Sequence, residues 1–239
     1  MTKPFHKPSR RLFLACASWL PLSACASDLI GPPEAGALYP VRPAFPAQNG
    51  AKVAWALNIL RPEVGSGLDS DRIALLQPDG SMDFYAKATY PAPLPQIVQQ
   101  TLLDAFEASG RIDAVALEQA ALKADYTLAT DVKDFAAHYS QRDGIPSVTV
   151  AITAKLATAR GRVIVANFST TQTGTAATNS AAAVTQALQQ ALGMAVSQIV
   201  AWALTAPIPM TQQPTGIGGS TRPAEQLLHD VTRGSDRLR

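Results

Sequence analysis

The most constraining feature of the sequence is a regular alternation of apolar and polar positions over residues 147–159. The apolar members are Val148, Val150, Ile152, Ala154 and Leu156, and between them stand Thr149, Thr153 and Lys155. Successive side chains of a β-strand point to opposite faces of its sheet, whereas a helical face repeats every 3.6 residues. The pattern therefore predicts a strand with one buried face and one solvated face.

Two further strand-like stretches, residues 126–139 and 163–173, flank this strand. Asp143-Gly144 and Ala159-Arg160-Gly161 have the composition of tight turns, so the three strands are predicted to form an antiparallel meander. Residues 179–204 then show helical spacing. The apolar side of this helix is Val184, Leu188, Leu192, Val196, Ile199 and Trp202.

Shorter elements precede the meander. Residues 52–60, 72–77, 82–88 and 112–115 read as strands, and residues 95–109 read as a helix that has Pro95 in its first turn and Gly110 just past its end. The prediction is an α+β domain over residues 51–205, with one antiparallel sheet of about six strands and two main helices packed on it. A chain of 239 residues with 47% hydrophobic side chains can bury such a core.

The N-terminus predicts export. Residues 1–11 are basic, and the apolar run that follows, residues 12–22, is too short to span a bilayer, so residues 1–24 read as a signal peptide. Leu22-Ser23-Ala24-Cys25 resembles a bacterial lipobox. We therefore expect cleavage between Ala24 and Cys25, and diacylglyceryl and N-acyl chains on Cys25. An ordinary secretory signal with an incidental cysteine is the alternative, and Ser9-Arg10-Arg11-Leu12 leaves Sec or twin-arginine export open.

Ala26 and Ser27 follow the cysteine. In the Gram-negative lipoproteins that this segment resembles, an aspartate after the cysteine favours the inner membrane, so its absence implies the periplasmic face of the outer membrane. Residues 25–50 carry five prolines and predict a lipidated, extended tether. Residues 206–239 are rich in proline and glycine and predict a disordered tail.

The remaining composition argues against several activities. Residues 25–239 carry 16 basic and 18 acidic side chains, so there is no basic surface for nucleic acid. Alternation places Asp134, His138 and Ser140 on one sheet face, but that face reads as solvated and no oxyanion donor is evident. Asp69-Ser70-Asp71 lacks the later ligands of a calcium loop. We expect no catalytic residue, no metal site and no cofactor besides the acyl chains on Cys25.

Several segments together resemble a known family. They are Leu68-Asp69-Ser70-Asp71-Arg72-Ile73-Ala74-Leu75, Phe84-Tyr85-Ala86-Lys87-Ala88, Glu107-Ala108-Ser109-Gly110-Arg111 and Val200-Ala201-Trp202. They are similar to segments of the ABC-type transport auxiliary lipoproteins, among them the outer-membrane lipoprotein of Pqi-type systems. The resemblance implies a non-catalytic docking component that helps to move lipids between the inner and outer membranes. It implies as partners a periplasmic mammalian-cell-entry (MCE) domain protein, a permease and an ATPase. Relatives suggest ring assemblies, so the resemblance also implies a homo-oligomer.

Within the resembling stretch, Asp71, Arg72, Tyr85 and Tyr90 are candidate contacts for a partner or a lipid. Tyr90 stands where relatives commonly have tryptophan, and for both tyrosines a place in the core is the plainer interpretation. Two other function classes remain open. A lipoprotein that assists an outer-membrane barrel would offer a strand edge or loop to its partner, and a periplasmic hydrolase would need an activated nucleophile.

Overall fold

A computed structural model of the chain describes residues 36–120 and 123–207. Its strands are β1 (Ala37–Leu38), β2 (Leu57–Ile59), β3 (Glu63–Val64), β4 (Arg72–Leu76), β5 (Met82–Thr89), β6 (Val115–Leu117), β7 (Tyr126–His138), β8 (Ser147–Thr158) and β9 (Ile164–Thr175). Its helices are α1 (Leu94–Ser109) and α2 (Ala181–Thr205), and Glu118–Ala120 forms a single 3-10 turn. The predicted signal peptide with Ala24 and Cys25, and the predicted tail from residue 208, lie outside the described residues.

The predicted meander is confirmed. β7, β8 and β9 pair antiparallel, and Val150 of β8 stands between Phe135 of β7 and Gln172 of β9. All five apolar alternating positions of β8 are buried at 2% exposure or less. The period of two thus identified both the strand and its buried face.

The sheet as a whole differs from the prediction, because it is mixed and has nine strands in the described residues. The edge of β7 that faces away from β8 receives β2, β3 and β4 in turn, all of them parallel to β7. The predicted β4–β5 hairpin is antiparallel as expected, and β6 adds to β2 in parallel. The prediction of an antiparallel sheet of about six strands is therefore wrong. A parallel pair needs a long crossover connection. The chain between the end of β2 and the start of β7, which includes α1, provides one.

Both helices lie on the same face of the sheet and have recognisable ends. The Ser180 hydroxyl accepts a hydrogen bond from the Ala183 N–H, which caps α2 at its start. Gly110 adopts a left-handed conformation (φ 65°) just after α1. Among the described helices, α2 alone is long and apolar enough to cross a bilayer, and 56% of that stretch is buried inside the domain.

Residues 37–48, within the predicted tether, contact the folded domain. β1 pairs with β5, the Arg42 N–H donates to Gln189 Oε1 of α2 (2.9 Å), and the Gln48 N–H donates to the Ser109 carbonyl of α1 (3.3 Å). Val41 is 7% exposed. The prolines of this stretch suppress any regular period, so its attachment to the helices left no signal in the sequence.

Candidate functional site

Asp71 and Arg72 lie at the surface where β4 begins. The Asp71 carbonyl oxygen accepts a hydrogen bond from the Tyr90 N–H (2.7 Å), and the residue is exposed. The Arg72 guanidinium carbon lies 3.8 Å from the centroid of the Phe84 ring, in a cation–π contact between β4 and β5. A partner can reach both charges.

A second pair of charges stands close by in the chain. Arg61 Nη2 lies 2.9 Å from Asp69 Oδ1, and both side chains are about half exposed. The two residues share an open cleft of about 430 Å³ with Pro62, Glu63 and Val64. Exposed ion pairs contribute roughly 0–1 kcal/mol, so these groups can exchange one partner for another at little cost. Together the four charged residues Arg61, Asp69, Asp71 and Arg72 form what we call the charged surface.

Tyr85 is half-buried and belongs to a chain of hydrogen bonds. Its hydroxyl oxygen lies 2.6 Å from that of Tyr139, which donates to Asn179 Oδ1 (2.5 Å). Because the Tyr139 hydroxyl has a single proton, Tyr85 must donate to Tyr139. Burial, and then the bond to Tyr139, raise the pKa of Tyr85 well above its ordinary value. The Tyr85 hydroxyl is therefore used within the fold.

Tyr90 is a core residue, which corrects its interpretation as a surface contact. Its side chain is 2% exposed, and its ring packs edge-on against Phe135 with the centroids 6.2 Å apart. The hydroxyl has no hydrogen-bond partner among the described residues, and burial raises the pKa of Tyr90. The plainer of the two sequence interpretations is the right one for this side chain.

His138 and Asp134 meet on the sheet face opposite the helices. His138 Nε2 lies 2.9 Å from Asp134 Oδ2, and both side chains are partly exposed. Burial raises the pKa of Asp134, and the nearby imidazole opposes that shift. Ser140 is exposed beyond the end of β7, and in the described part of the chain no hydroxyl hydrogen-bonds to the His138 ring. The pair lacks a nucleophile in contact with it, so it does not have triad geometry.

Metal-ligating side chains do not converge either. Across residues 36–120 and 123–207, no three side chains of His, Cys, Asp or Glu come together in a group that could hold an ion. What the described residues offer is the charged surface, with two basic and two acidic side chains that are all exposed.

Comparison with protein-family models decides the relationship. Residues 38–200, about two thirds of the chain, match the model of the ABC-type transport auxiliary lipoprotein component. The chain belongs to this family. The resemblance found in its sequence segments is thereby confirmed, and an auxiliary role in an ABC-type transport system comes with the family description.

Solved structures agree with this assignment. The auxiliary lipoprotein domain is similar to the crystal structure of a Xanthomonas campestris protein of the DUF330 family. The identity is 29% and the TM-score 0.64, over 70% of this chain and 95% of that one. A second crystal structure, titled only as an uncharacterized protein, matches at 15% identity with a TM-score of 0.52, over 68% of this chain and 99% of that one, and shows the fold alone. No curated protein matches the chain in sequence.

The structure of this family member also contains a surface that the sequence reasoning missed. A shallow groove of about 520 Å³ runs along the outer side of α2, and residues 43–44 cross it. Its lining is Pro43, Ala44, Gln189, Gln190, Gly193, Met194, Ser197 and Gln198, with no charged side chain. No local pattern could bring residues 43–44 onto α2. A count of charged residues would have indicated that the exposed side of α2 is uncharged, because residues 163–221 contain no Asp, Glu, Lys, Arg or His at all.

Proposed function

We propose that the protein is a lipid-anchored component of the periplasmic face of the outer membrane. In this proposal it serves, without catalysis, as the docking subunit of an MCE-type ABC transporter that moves lipids between the two membranes. One observation carries the proposal: the auxiliary lipoprotein match over residues 38–200 follows a signal-like segment that ends in the lipobox cysteine Cys25. The partners would be an MCE-domain protein, a permease and an ATPase.

The chemistry of the surface supports a docking role. Arg61, Asp69, Asp71 and Arg72 put both signs of charge within one exposed region. Complementary charges at an interface accelerate encounter and select the right partner more than they add affinity. The ATPase of such a system would supply the energy, so this subunit needs no reactive group of its own.

The anchor is tested by changing the two cysteines separately. Cys25→Ser should abolish labelling by a fatty-acid probe and release the protein from the outer-membrane fraction, because the thiol is the acylated group. Cys16→Ser is the matched control, since Cys16 lies inside the predicted signal, and it should keep label and location. Label retained on Cys25→Ser would contradict the lipobox assignment.

The docking role is tested on the charged surface. Arg72→Glu should reduce co-isolation of the MCE-domain protein from detergent-solubilised membranes by about tenfold, if the lost attraction amounts to about 1.4 kcal/mol. Lys155→Glu makes the same charge change at an exposed position of β8 and should leave recovery unchanged. If the wild type, Arg72→Glu and Lys155→Glu recover the MCE-domain protein equally, at unchanged melting temperature, the charged surface is not the docking site. Recovery of none of the transporter components with the wild type would remove the docking role itself.

A second function is favoured by one feature of the sheet. β9 pairs with β8 alone in the described residues, and an open strand edge is what a lipoprotein that assists an outer-membrane barrel would offer. Co-isolation separates the two functions, because a barrel protein would be recovered in place of the MCE-domain protein.

A further inference from the structure

The turn between β8 and β9 exposes two large apolar side chains side by side. Val163 is 61% exposed and Ile164 is 55% exposed, and they follow the exposed residues Arg160 and Arg162. We call residues 159–164 the hairpin tip. Isolated aliphatic side chains are normal on a protein surface, but an adjacent pair at the end of a hairpin is a candidate contact with another apolar environment.

The hairpin tip has a defined backbone shape. The Thr158 N–H donates to the Val163 carbonyl (2.9 Å), and the Thr158 hydroxyl donates to the Arg160 carbonyl (2.7 Å) and accepts from the Val163 N–H (3.1 Å). Gly161 (φ 83°) and Arg162 (φ 51°) are both left-handed. That conformation is easy for glycine and uncommon for arginine, so the surrounding bonds hold it in place. The exposed side chains of the hairpin tip are thus presented in one arrangement.

All the charge in this part of the chain is positive. Residues 144–207 are all described, and they contain Lys155, Arg160 and Arg162 but no aspartate or glutamate. Neither guanidinium of the hairpin tip forms an ion pair with another described residue. Asp125 lies beside the hairpin tip, where its carbonyl accepts from the Ala159 N–H (2.8 Å), but the exposed Lys123 two positions earlier offsets its charge. The surface therefore fits a negatively charged partner.

We propose that the hairpin tip docks on the surface of a phospholipid membrane that contains anionic lipids. Arg160 and Arg162 pair there with lipid phosphates, which guanidinium groups bind through two parallel hydrogen bonds. Val163 and Ile164 enter the boundary between headgroups and acyl chains, where buried apolar area adds to the electrostatic attraction.

An acidic protein is the alternative occupant of this surface. Such a protein would have to supply a pocket for two adjacent aliphatic side chains in addition to carboxylates for the arginines. A membrane offers an anionic layer directly above an apolar one at every point of its surface. The order of chemistry in the hairpin tip, with charge and apolar side chains next to each other, matches that layering.

The chain before the domain is long enough for this orientation, a step that rests on the proposed anchor at Cys25. The strand registers place Gly36 toward the His138 end of the sheet and the hairpin tip at the opposite end. β7 has 13 residues and is close to 40 Å long at about 3.3 Å per residue. The residues between Cys25 and Gly36 can reach about 33–36 Å when fully extended. The hairpin tip can therefore touch the membrane that holds the anchor while Gly36 stands above it.

The test places a solvent-sensitive fluorescent amino acid at position 163 of the full lipoprotein. The protein is reconstituted into vesicles of phosphatidylcholine, with or without about 30% phosphatidylglycerol. Emission should shift to the blue in the anionic vesicles and be quenched by spin-labelled lipid. The same group at position 145 is the matched control, because Ile145 is also exposed but lies in the turn before β8, next to Arg142 and Asp143. It should emit as it does in water with both kinds of vesicle.

A charge variant tests the role of the arginines. Arg162→Gln removes the charge and keeps a long polar side chain in the left-handed position. It should shift the equilibrium between docked and free hairpin tip about fivefold toward the free state, since each basic residue at an anionic surface contributes about that factor. Arg142→Gln makes the same replacement in the turn before β8 and should have no effect.

The outcomes separate the hairpin tip from the anchor. Water-like emission at position 163 in anionic vesicles, or a blue shift that is equal in both vesicles and indifferent to Arg162→Gln, would overturn the proposal. A blue shift that appears only when transporter components are added would assign the hairpin tip to a protein instead. An acylated chain floats with both kinds of vesicle, whereas a chain without acyl groups floats with anionic vesicles alone if its hairpin tip docks. A chain that floats with neither rejects both the anchor and the docking of the hairpin tip.

Discussion

Two outer edges of the sheet, those formed by β5 and β9, contrast sharply in chemistry. The edge formed by β5 carries Asp83 and Lys87, its pairing with β4 is interrupted by a register shift, and β1 covers its last two residues. The edge formed by β9 is longer, neutral and uncovered in the described residues. Charge, irregularity and cover are the means by which proteins prevent unwanted strand pairing. Among the described residues, the β5 edge is thus protected against strand pairing and the β9 edge is not.

The same division extends to the helices above the sheet. α1 carries Asp104 and Glu107 on its exposed side, whereas α2 carries no charge along its 25 residues. Their buried sides are alike, with Phe106 under α1 and Leu188 under α2 both at 0% exposure. Packing therefore does not distinguish the two regions. What differs is the chemistry that each region presents to other molecules.

The largest expected effect tests whether the neutral region is packed as firmly as the charged one. Leu188→Ala removes a fully buried side chain from α2 and should lower the free energy of unfolding by about 3–5 kcal/mol. Gln190→Ala, on the exposed side of the same helix, should change it by less than about 0.5 kcal/mol. Urea unfolding followed by circular dichroism measures both. A loss below about 1 kcal/mol for Leu188→Ala would mean that α2 is held loosely.

The expected loss of stability for Trp202→Ala lies between those for Leu188→Ala and Gln190→Ala. Its ring stacks on Phe168 of β9, with centroids 5.4 Å apart and planes 17° apart, but it is only partly buried. Trp202→Ala should therefore cost about 2 kcal/mol, below the 3–5 kcal/mol typical of a fully buried aromatic ring. A loss as large as that of Leu188→Ala would show that the Trp202 ring is fully buried in solution.

Local periodicity predicted the long elements well and the shortest strands poorly. β7, β8 and α2 were found within about two residues at each end, because 12 to 25 consecutive positions repeat one pattern. β2 and β3 have three and two residues, too few to show a period, and the strand that they pair with begins more than 60 positions later. Their parallel direction is fixed by tertiary packing, which a short window of sequence does not contain.

The charged candidate contacts were easier to place from the sequence than the aromatic ones. Asp71 and Arg72 were candidates because they lie in the stretch that resembles the family, and their charge favours the surface, because unpaired carboxylates and guanidinium groups are rarely buried. An aromatic ring carries no such information. Tyr85 and Tyr90 lie close together in the sequence, yet the Tyr85 hydroxyl reaches Tyr139 while that of Tyr90 reaches no described partner.

The last prediction concerns the junction between the two regions, where smaller effects of opposite sign are expected. The hydrogen-bonded chain Tyr85–Tyr139–Asn179 links β5 to the segment that enters α2. Tyr85→Phe removes the bond to Tyr139 and should cost about 1 kcal/mol. Tyr90→Phe removes a buried hydroxyl that has no partner among the described residues, and it should leave stability unchanged or raise it by up to about 1 kcal/mol.

The stability of both variants is measured by urea unfolding at neutral pH, where the raised pKa of each hydroxyl keeps it protonated. The two variants delete the same atom from the same residue type, so they are controls for each other. A loss for Tyr90→Phe equal to that for Tyr85→Phe would require a hydrogen-bond partner for Tyr90 in solution, and it would extend the junction between the two regions into the core beside Phe135.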